Sequence, residues 1–433
     1  MKYFKGKRVL VYGMGRSGQA ACKLLHQNEA CISIYDDDKA LSSLFCFDPE
    51  PLKNEYDLVV VSPGIKVIGN EIIAGFEKKK VSVISELDLG KSFCKGLFVA
   101  ITGTNGKTTV TTLLGEIFKK AGKETFVCGN IGLPLSAIAL KTTKRSIVVC
   151  EVSNFQLELS TFFNPDIACI LNLQEDHIDR HGNFAEYVRV KNKITQNFTG
   201  KNVLVYNYDD INKNLVNITK KACIFSKNEQ NRGSYIKEGM IYHNRTKILL
   251  VSEIQLRGER NIENVLACVE VAMNCKIKPQ VIREVIKNFA GLPHRLEFVG
   301  SRNGVSYFND SKSTNIVCVQ MAIESLKAKN LILLVGGRNK DCNYAHLFNR
   351  GYDIKLVVCF GECGGEIYLL ARNAGYAAIC YRTMKDAVVE IMNSAESGDT
   401  VLLSPGGASF DEFESYVARG QVFKELVSGA YKE

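Results

Sequence analysis

Short runs of Val, Ile and Leu recur along the chain, each ending at glycine or a small polar residue and followed by a stretch with apolar residues at every third or fourth position. RVLVYG, CISIY, DLVVVSPG and VSVISE open the series, LFVAITG, SIVVCE, IACILN and NVLVYN continue it, and VSYFND, LILLVGG, KLVVCFG and TVLLSPGG close it. An unbroken apolar run of this length fits a strand buried on both faces, and the stretches between supply covering helices. Their alternation predicts parallel sheets, so the fold class is α/β throughout. The rhythm breaks near Lys91 and again after GLPHR, which predicts three domains, 1–91, 92–291 and 292–433. No linker of low complexity separates them, as expected of domains that meet around shared ligands.

At 433 residues the chain is too long for one core. No apolar run approaches the roughly 18 residues of a membrane span, and MKYFKGKRVL lacks the layout of a signal peptide, so a cytoplasmic protein without a membrane partner is expected. The 15 cysteines are scattered singly, and the nearest pair, Cys359 and Cys363, lacks C-x-x-C spacing, so they read as small hydrophobes with no structural metal. The net charge of +9 is spread along the chain with no basic run among aromatics. Nucleic acid is therefore not expected, and a surface for anionic small molecules accounts for the charge.

Five stretches carry candidate chemistry. VYGMGRSGQA sets Gly13, Gly15 and Gly18 in G-x-G-x-x-G spacing after a strand, with Asp36 about twenty positions on. That geometry suits NAD or another nucleotide diphosphate, because glycines let a pyrophosphate approach the amides of a helix N-terminus. AITGTNGKTT departs from the phosphate loop G-x-x-x-x-G-K-[ST], since Ile101 stands at the first glycine position and Gly103 takes over that role. Its context of apolar strand, glycine turn and amphipathic helix predicts a shorter cradle for a triphosphate. Lys107 would reach the terminal phosphates, the Thr108 hydroxyl would ligate Mg²⁺, and Asn105 suits a left-handed turn position. Glu151, directly after SIVVCE's apolar run, could bind the same Mg²⁺, and His177 of LQEDHIDRHG lies on the same sheet edge. Further on, EYVRVKNKI holds Arg189, Lys191 and Lys193, and spacing singles out none of them.

TGTNGKTT, GNIGLP, CEVSNFQLE, EDHIDRHG, GLPHR, NDSKSTN and SPGGASFDEF follow one another over nearly the whole chain. Together they resemble the Mur ligases, the ATP-dependent ligases of peptidoglycan synthesis, and within that family the members that add D-glutamate. The resemblance implies a Rossmann-like domain for the UDP part of the substrate, a central P-loop NTPase-like domain with a parallel or mixed sheet for ATP, and a Rossmann-like C-terminal domain for the incoming amino acid. The first glycine loop then holds uridine diphosphate and not NAD: Gly15, Arg16 and Ser17 at the diphosphate, Asp36, Asp37, Ser62 and Gly64 near the uridine, and Asn130 and His177 further along the substrate. Asp38 stands where relatives often carry a basic residue.

For ATP the implied residues are Gly103, Thr104, Asn105, Gly106, Lys107, Thr108 and Thr109, with Asn261, Asn264, Arg295 and Asp310 around adenine, ribose and phosphate. Thr108, Glu151, His177 and Lys191 are implied for two Mg²⁺ ions, with Lys191 carbamylated by CO₂, so that an anion replaces a cation that would repel the metal. Lys107, His177 and Lys191 carry the catalytic roles. Lys312 stands where sister ligases have a His-containing motif, and with Thr314, Lys340, Ser409, Phe410 and Tyr416 it is implied for D-glutamate; relatives have Phe at the last position. The implied reaction joins D-glutamate to UDP-N-acetylmuramoyl-L-alanine through an acyl phosphate, on a monomer whose partners are small molecules alone.

Overall fold

The computed structural model describes residues 4–43, 46–210, 221–256, 258–339 and 343–429. The chain forms two compact units, one of Met1–Ile254 with Arg260–Phe289, the other of Gln255–Glu259 with Ala290–Glu433.

The first unit carries two sheets. A four-stranded parallel sheet runs in the order Cys31–Tyr35, Arg8–Tyr12, Leu58–Val61, Ser82–Ser85. All four residues of LVVV at 58–61 are buried, as a strand covered on both faces requires. The order reverses beside Arg8–Tyr12, so the loops after that strand and after Leu58–Val61 flank the crevice in which such sheets bind ligands. A Cβ on Gly18 would stand 1.9 Å from the Gly13 carbonyl oxygen, which is why the helix Arg16–His26 can press against the turn.

A nine-stranded sheet follows, with Leu97–Thr102 between Ile147–Glu151 and Ile167–Ile170, all parallel. At its far edge Ser234–Lys237, Met240–His243 and Thr246–Leu250 pair antiparallel, so the sheet is mixed. The first sheet's helix Glu86–Phe93 is tied to the nine-stranded layer by buried carboxylates: Glu86 accepts from the Ser136 amide at 2.7 Å, and Asp88 accepts from the Ser160 hydroxyl at 3.1 Å and the Thr161 amide at 2.9 Å. Burial raises the pKa of both, against the hydrogen bonds each accepts.

The described residues of the second unit form a six-stranded sheet in the order Glu297–Arg302, Val305–Asn309, Thr400–Gly406, Leu331–Gly336, Ile354–Phe360, Ala378–Cys380. The first pair is antiparallel and the rest parallel, with an apolar cluster on each face. The expected α/β class with parallel-rich sheets therefore holds in both units.

Arg419, fully buried, donates to the Ser311 hydroxyl and carbonyl at 3.0 and 2.9 Å and to the Ala408 and Gly407 carbonyls at 3.1 Å each. It thereby holds NDSKSTN against SPGGAS, and burial lowers its pKa to about 10, with Asp411 and Glu412 opposing the shift. Methionine fills a similar volume but leaves those oxygens without donors, each at about 1–3 kcal/mol. Arg419→Met is expected to destabilise the second unit by about 3–5 kcal/mol, read as an earlier urea midpoint by circular dichroism; an unchanged midpoint contradicts this.

Candidate active site

Gly103 to Gly106 cross from the strand Leu97–Thr102 into the helix Lys107–Lys120. Gly103 lies at φ +150°, where a Cβ would meet the Leu171 side chain at 3.0 Å, and Gly106 at φ +84°, where a Cβ would stand 2.1 Å from Asn264 Oδ1. Glycine is thus required at both ends of the loop for space as well as for backbone angle. The segment after Ile167–Ile170 shapes the middle. Thr104 N donates to the Asn172 carbonyl at 2.9 Å, Asn105 N to Asn172 Oδ1 at 2.7 Å, and the Thr104 hydroxyl lies 2.9 Å from Tyr187 OH. Gln174 Oε1 accepts from Asn105 Nδ2 and Arg260, and Asn264 donates to Asn261 Oδ1. Asn172, Gln174, Tyr187 and Arg260 were not among the expected residues; the polar turn LNLQED directly after a strand was the sequence signal for the first two.

Two ammonium groups share one acceptor here. Lys107 Nζ donates to the Gly103 carbonyl at 2.8 Å and that of Thr104 at 2.7 Å, and Lys191 Nζ donates to the same Gly103 oxygen at 2.9 Å. Lys191 is 1% exposed. Burial holds its amine well below the ordinary lysine range, Lys107 pushes it further down, and Asp176 and Glu151 pull it up. Glu151 stands opposite Ile101 on the neighbouring strand and is also buried. Its Oε1 accepts from Asn130 Nδ2 at 2.7 Å, whereas buried Oε2 has no hydrogen-bond partner among the described residues. A buried carboxylate oxygen without a donor calls for a cation or an ordered water, so the donor set fits Mg²⁺.

His177, at φ +52°, opens the short helix Ile178–His181 with its ring 4.8 Å from that of Phe155 and its side chain 44% exposed. Among the described residues no three His, Cys, Asp or Glu side chains gather as a metal cluster. His181, four residues on, is buried against Asn154 at 2.6 Å, and burial lowers its pKa. Arg180 pairs with Glu158 through two bonds of 2.8 and 2.6 Å and donates to the carbonyls of Pro63 and Ile65, fixing the SPG loop to this segment.

In the first glycine loop Asp36 accepts from the Met14 amide at 2.6 Å, Asp37 from Tyr12 OH at 2.9 Å, and Ser62 donates to the Gly13 carbonyl at 2.6 Å. These side chains shape the loop, and Arg16 at its tip donates to the Gly132 carbonyl of GNIGLP. In the second unit Lys312 Nζ lies 3.4 Å from Tyr416 OH and 5.1 Å from its ring centroid. Ser409 is buried, Thr314 half-buried and Phe410 exposed; Lys340 lies outside the described residues.

Residues 101–272 match the Mur ligase middle domain and residues 294–407 the Mur ligase, glutamate ligase domain. The chain is 38% identical to UDP-N-acetylmuramoylalanine--D-glutamate ligase of Thermoanaerobacter sp. (strain X514) and 34% identical to the protein of that name from Streptococcus pneumoniae serotype 2, covering 98% of both chains in each case. Among solved structures it is similar to UDP-N-acetylmuramate-alanine ligase MurC from Thermotoga maritima, with TM-score 0.59 at 16% identity over 98% of this chain and 100% of that one. It is similar also to MurF ligase from Thermotoga maritima in complex with ADP, with TM-score 0.60 at 16% identity over 99% and 97%. At those identities the structures bear on the fold alone.

Asp310 offers a pH test of the second unit. Its carboxylate accepts from the Leu296 amide at 3.0 Å and the Ser404 hydroxyl at 2.9 Å, yet burial outweighs these bonds and raises its pKa to about 6. Between about 3.9 and that value the folded chain holds a proton the unfolded chain has released, so stability falls as pH rises through the window. Relative to Asp310→Asn, the wild type is expected to lose up to about 3 kcal/mol between pH 4 and pH 7. Denaturant titrations of both proteins across that range check it, and a difference that does not vary with pH contradicts it.

Proposed function

The chain belongs to the Mur ligase family, and we propose that it joins D-glutamate to UDP-N-acetylmuramoyl-L-alanine at the expense of ATP, in the cytoplasmic stage of peptidoglycan synthesis. The observation that carries this reading is the full-length match, at 34–38% identity over 98% of the chain, to relatives that bear the name of that activity. The reaction is carboxylate attack on the γ-phosphorus, giving an acyl phosphate and ADP, then amine attack on the acyl carbon, releasing phosphate and forming the amide.

Within the first unit, Gly103 to Gly106 present amides at a helix N-terminus and Lys107 adds a cation, so this loop is where the triphosphate would lie. Thr108 and Glu151, with His177 and a carbamylated Lys191, would hold two Mg²⁺ ions. When bound, the metal supplies charge neutralisation for the meeting of two anions, carboxylate and phosphate. Carbamylation needs an unprotonated amine, and burial beside Lys107 supplies one by lowering the Lys191 pKa. The product keeps one N–H, enough to maintain the bond to the Gly103 carbonyl, while its new charge is attracted by Lys107.

Gly15, Arg16 and Ser17 would bind the UDP diphosphate, and Asn130, held by Glu151, would orient the muramoyl side of the substrate. Asp36, engaged with the Met14 amide, supports the uridine site by holding its loop. In the second unit Lys312, Thr314, Ser409, Phe410 and Tyr416, with Lys340, would bind D-glutamate. Lysine charge and hydroxyl donors suit two carboxylates, each of which needs a compensating partner when desolvated. Asn261, Asn264, Arg295 and Asp310 would complete the nucleotide contacts, and His177 would accept the proton shed by the amine.

Phosphate release from ATP in the presence of UDP-N-acetylmuramoyl-L-alanine is expected with D-glutamate and not with L-glutamate, L-alanine or L-lysine. Turnover with L-alanine or L-lysine in place of D-glutamate sinks the assignment. Lys191→Ala is expected to lower kcat by about 10²–10³, as removal of one transition-state charge partner does, with partial recovery on adding a small carboxylate such as acetate. Full activity of Lys191→Ala without additive contradicts the carbamate role.

A further inference from the structure

A cavity of about 790 Å³ lies in the first unit, away from every residue assigned above. It opens at the starting ends of the strands Leu58–Val61 and Ser82–Ser85, whereas the UDP loops follow the other ends of that sheet. Its walls come from both layers: Phe4, Ile84 and Phe93 from the first sheet and its helix, Cys94 and Lys95 from the segment leading to the second sheet, and Phe162 from the loop after CEVSNFQLE. Phe4 and Phe93 stack at 5.4 Å with their planes 27° apart, giving the lining an aromatic pair. Phe162 also lines the cavity and is 48% exposed.

The size is that of a small-molecule site, which spans roughly 300–1,000 Å³ with mostly apolar walls and a few polar groups. Lys95 is the one charged side chain in the lining, no carboxylate shares it, and the ammonium makes no ion pair among the described residues. Three phenyl rings and one exposed cation suit a planar apolar body carrying a single negative charge: the rings offer it apolar contact, and Lys95 meets the anion where water still reaches. We propose that this cavity binds an anionic aromatic small molecule, independently of the nucleotide and amino-acid sites. The Thr161 amide, adjoining Phe162, is the group that Asp88 holds at 2.9 Å, so an occupant would touch the joint between the two layers.

The probe is 8-anilinonaphthalene-1-sulfonate, with N-phenyl-1-naphthylamine as its uncharged counterpart, titrated by fluorescence into the full chain with ATP and UDP present at saturation. The sulfonate is expected to bind one per chain. Lys95→Glu should weaken the sulfonate about tenfold or more and leave the neutral amine within about twofold, because the exchange replaces an attraction for the sulfonate by a repulsion. Phe162→Asp should weaken both probes. Lys95 and Phe162 lie at the surface, so both variants should keep the wild-type circular dichroism. Unsaturable binding, displacement by ATP or UDP, or equal affinity of wild type and Lys95→Glu for the sulfonate would overturn the proposal. None of these readouts requires turnover, so the result stands apart from the assignment of the ligase reaction.

Discussion

Two lysines sharing the Gly103 carbonyl set the demands that the catalytic edge has to meet. At about 5 Å and an effective dielectric near 20, two unit positive charges repel by about 3 kcal/mol, more than the roughly 1 kcal/mol net value of a hydrogen bond. A shared acceptor cannot hold them together unaided. The depressed Lys191 pKa is one way the repulsion is relieved, since it eases loss of the amine's proton. A negative charge delivered to the same place is the other, whether phosphate at Lys107 or carbamate on Lys191. The edge thus holds two lysines close together, so an anionic ligand is favoured there, an arrangement suited to a reaction that must bring a carboxylate up to a triphosphate.

Sheet order is what makes that concentration of charge affordable to the fold. Because Leu97–Thr102 lies between Ile147–Glu151 and Ile167–Ile170, the loops that follow all three strands open at one edge, and residues 50 to 88 positions apart in the chain become neighbours there. The strands themselves are uniformly apolar, so no charge is needed below the edge and the titratable groups sit where the sheet stops. Asn172 and Gln174 then fix the loop through bonds to its backbone and side chains, leaving the amides of the helix Lys107–Lys120 to face a ligand.

Much of this was legible in the chain because buried parallel strands leave an unambiguous trace. IVVCE and LVVV can scarcely be anything else, and the glycines of GTNG mark a turn whose steric reasons the structure supplies in Leu171 and Asn264. SYIK, MIYH and TKILL left weaker traces: they form a half-exposed antiparallel edge, with Lys and His among the apolar residues, and their runs are too short and mixed to stand out from loop. Arg419 was invisible for a different reason. Nothing about an arginine in a helical stretch says that its guanidinium turns inward to hold Gly407, Ala408 and Ser311; that depends on where two distant loops arrive. Lys191 sits between these extremes, since EYVRVKNKI offers three cations and only packing decides that this one is buried while Arg189 pairs with Glu186 at the surface.

The first glycine loop shows how far a motif constrains a ligand. Read by spacing, Gly13, Gly15, Gly18 and Asp36 fit a dinucleotide site in which the carboxylate binds a ribose. In the folded chain that carboxylate holds the Met14 amide, and Ser62 holds the Gly13 carbonyl, so both fix the shape of the turn. Spacing therefore specifies a turn able to admit a diphosphate, and the remainder of the ligand is specified by what surrounds the turn. Here the surroundings are Arg16, bonded to the Gly132 carbonyl, and the SPG loop, bonded through Pro63 and Ile65 to Arg180. Arg180 lies three residues beyond His177, and its guanidinium stacks 4.1 Å above the Phe155 ring that also packs on His177. The SPG loop is therefore joined to the segment that carries His177 by a short series of contacts, through Arg180 and Phe155.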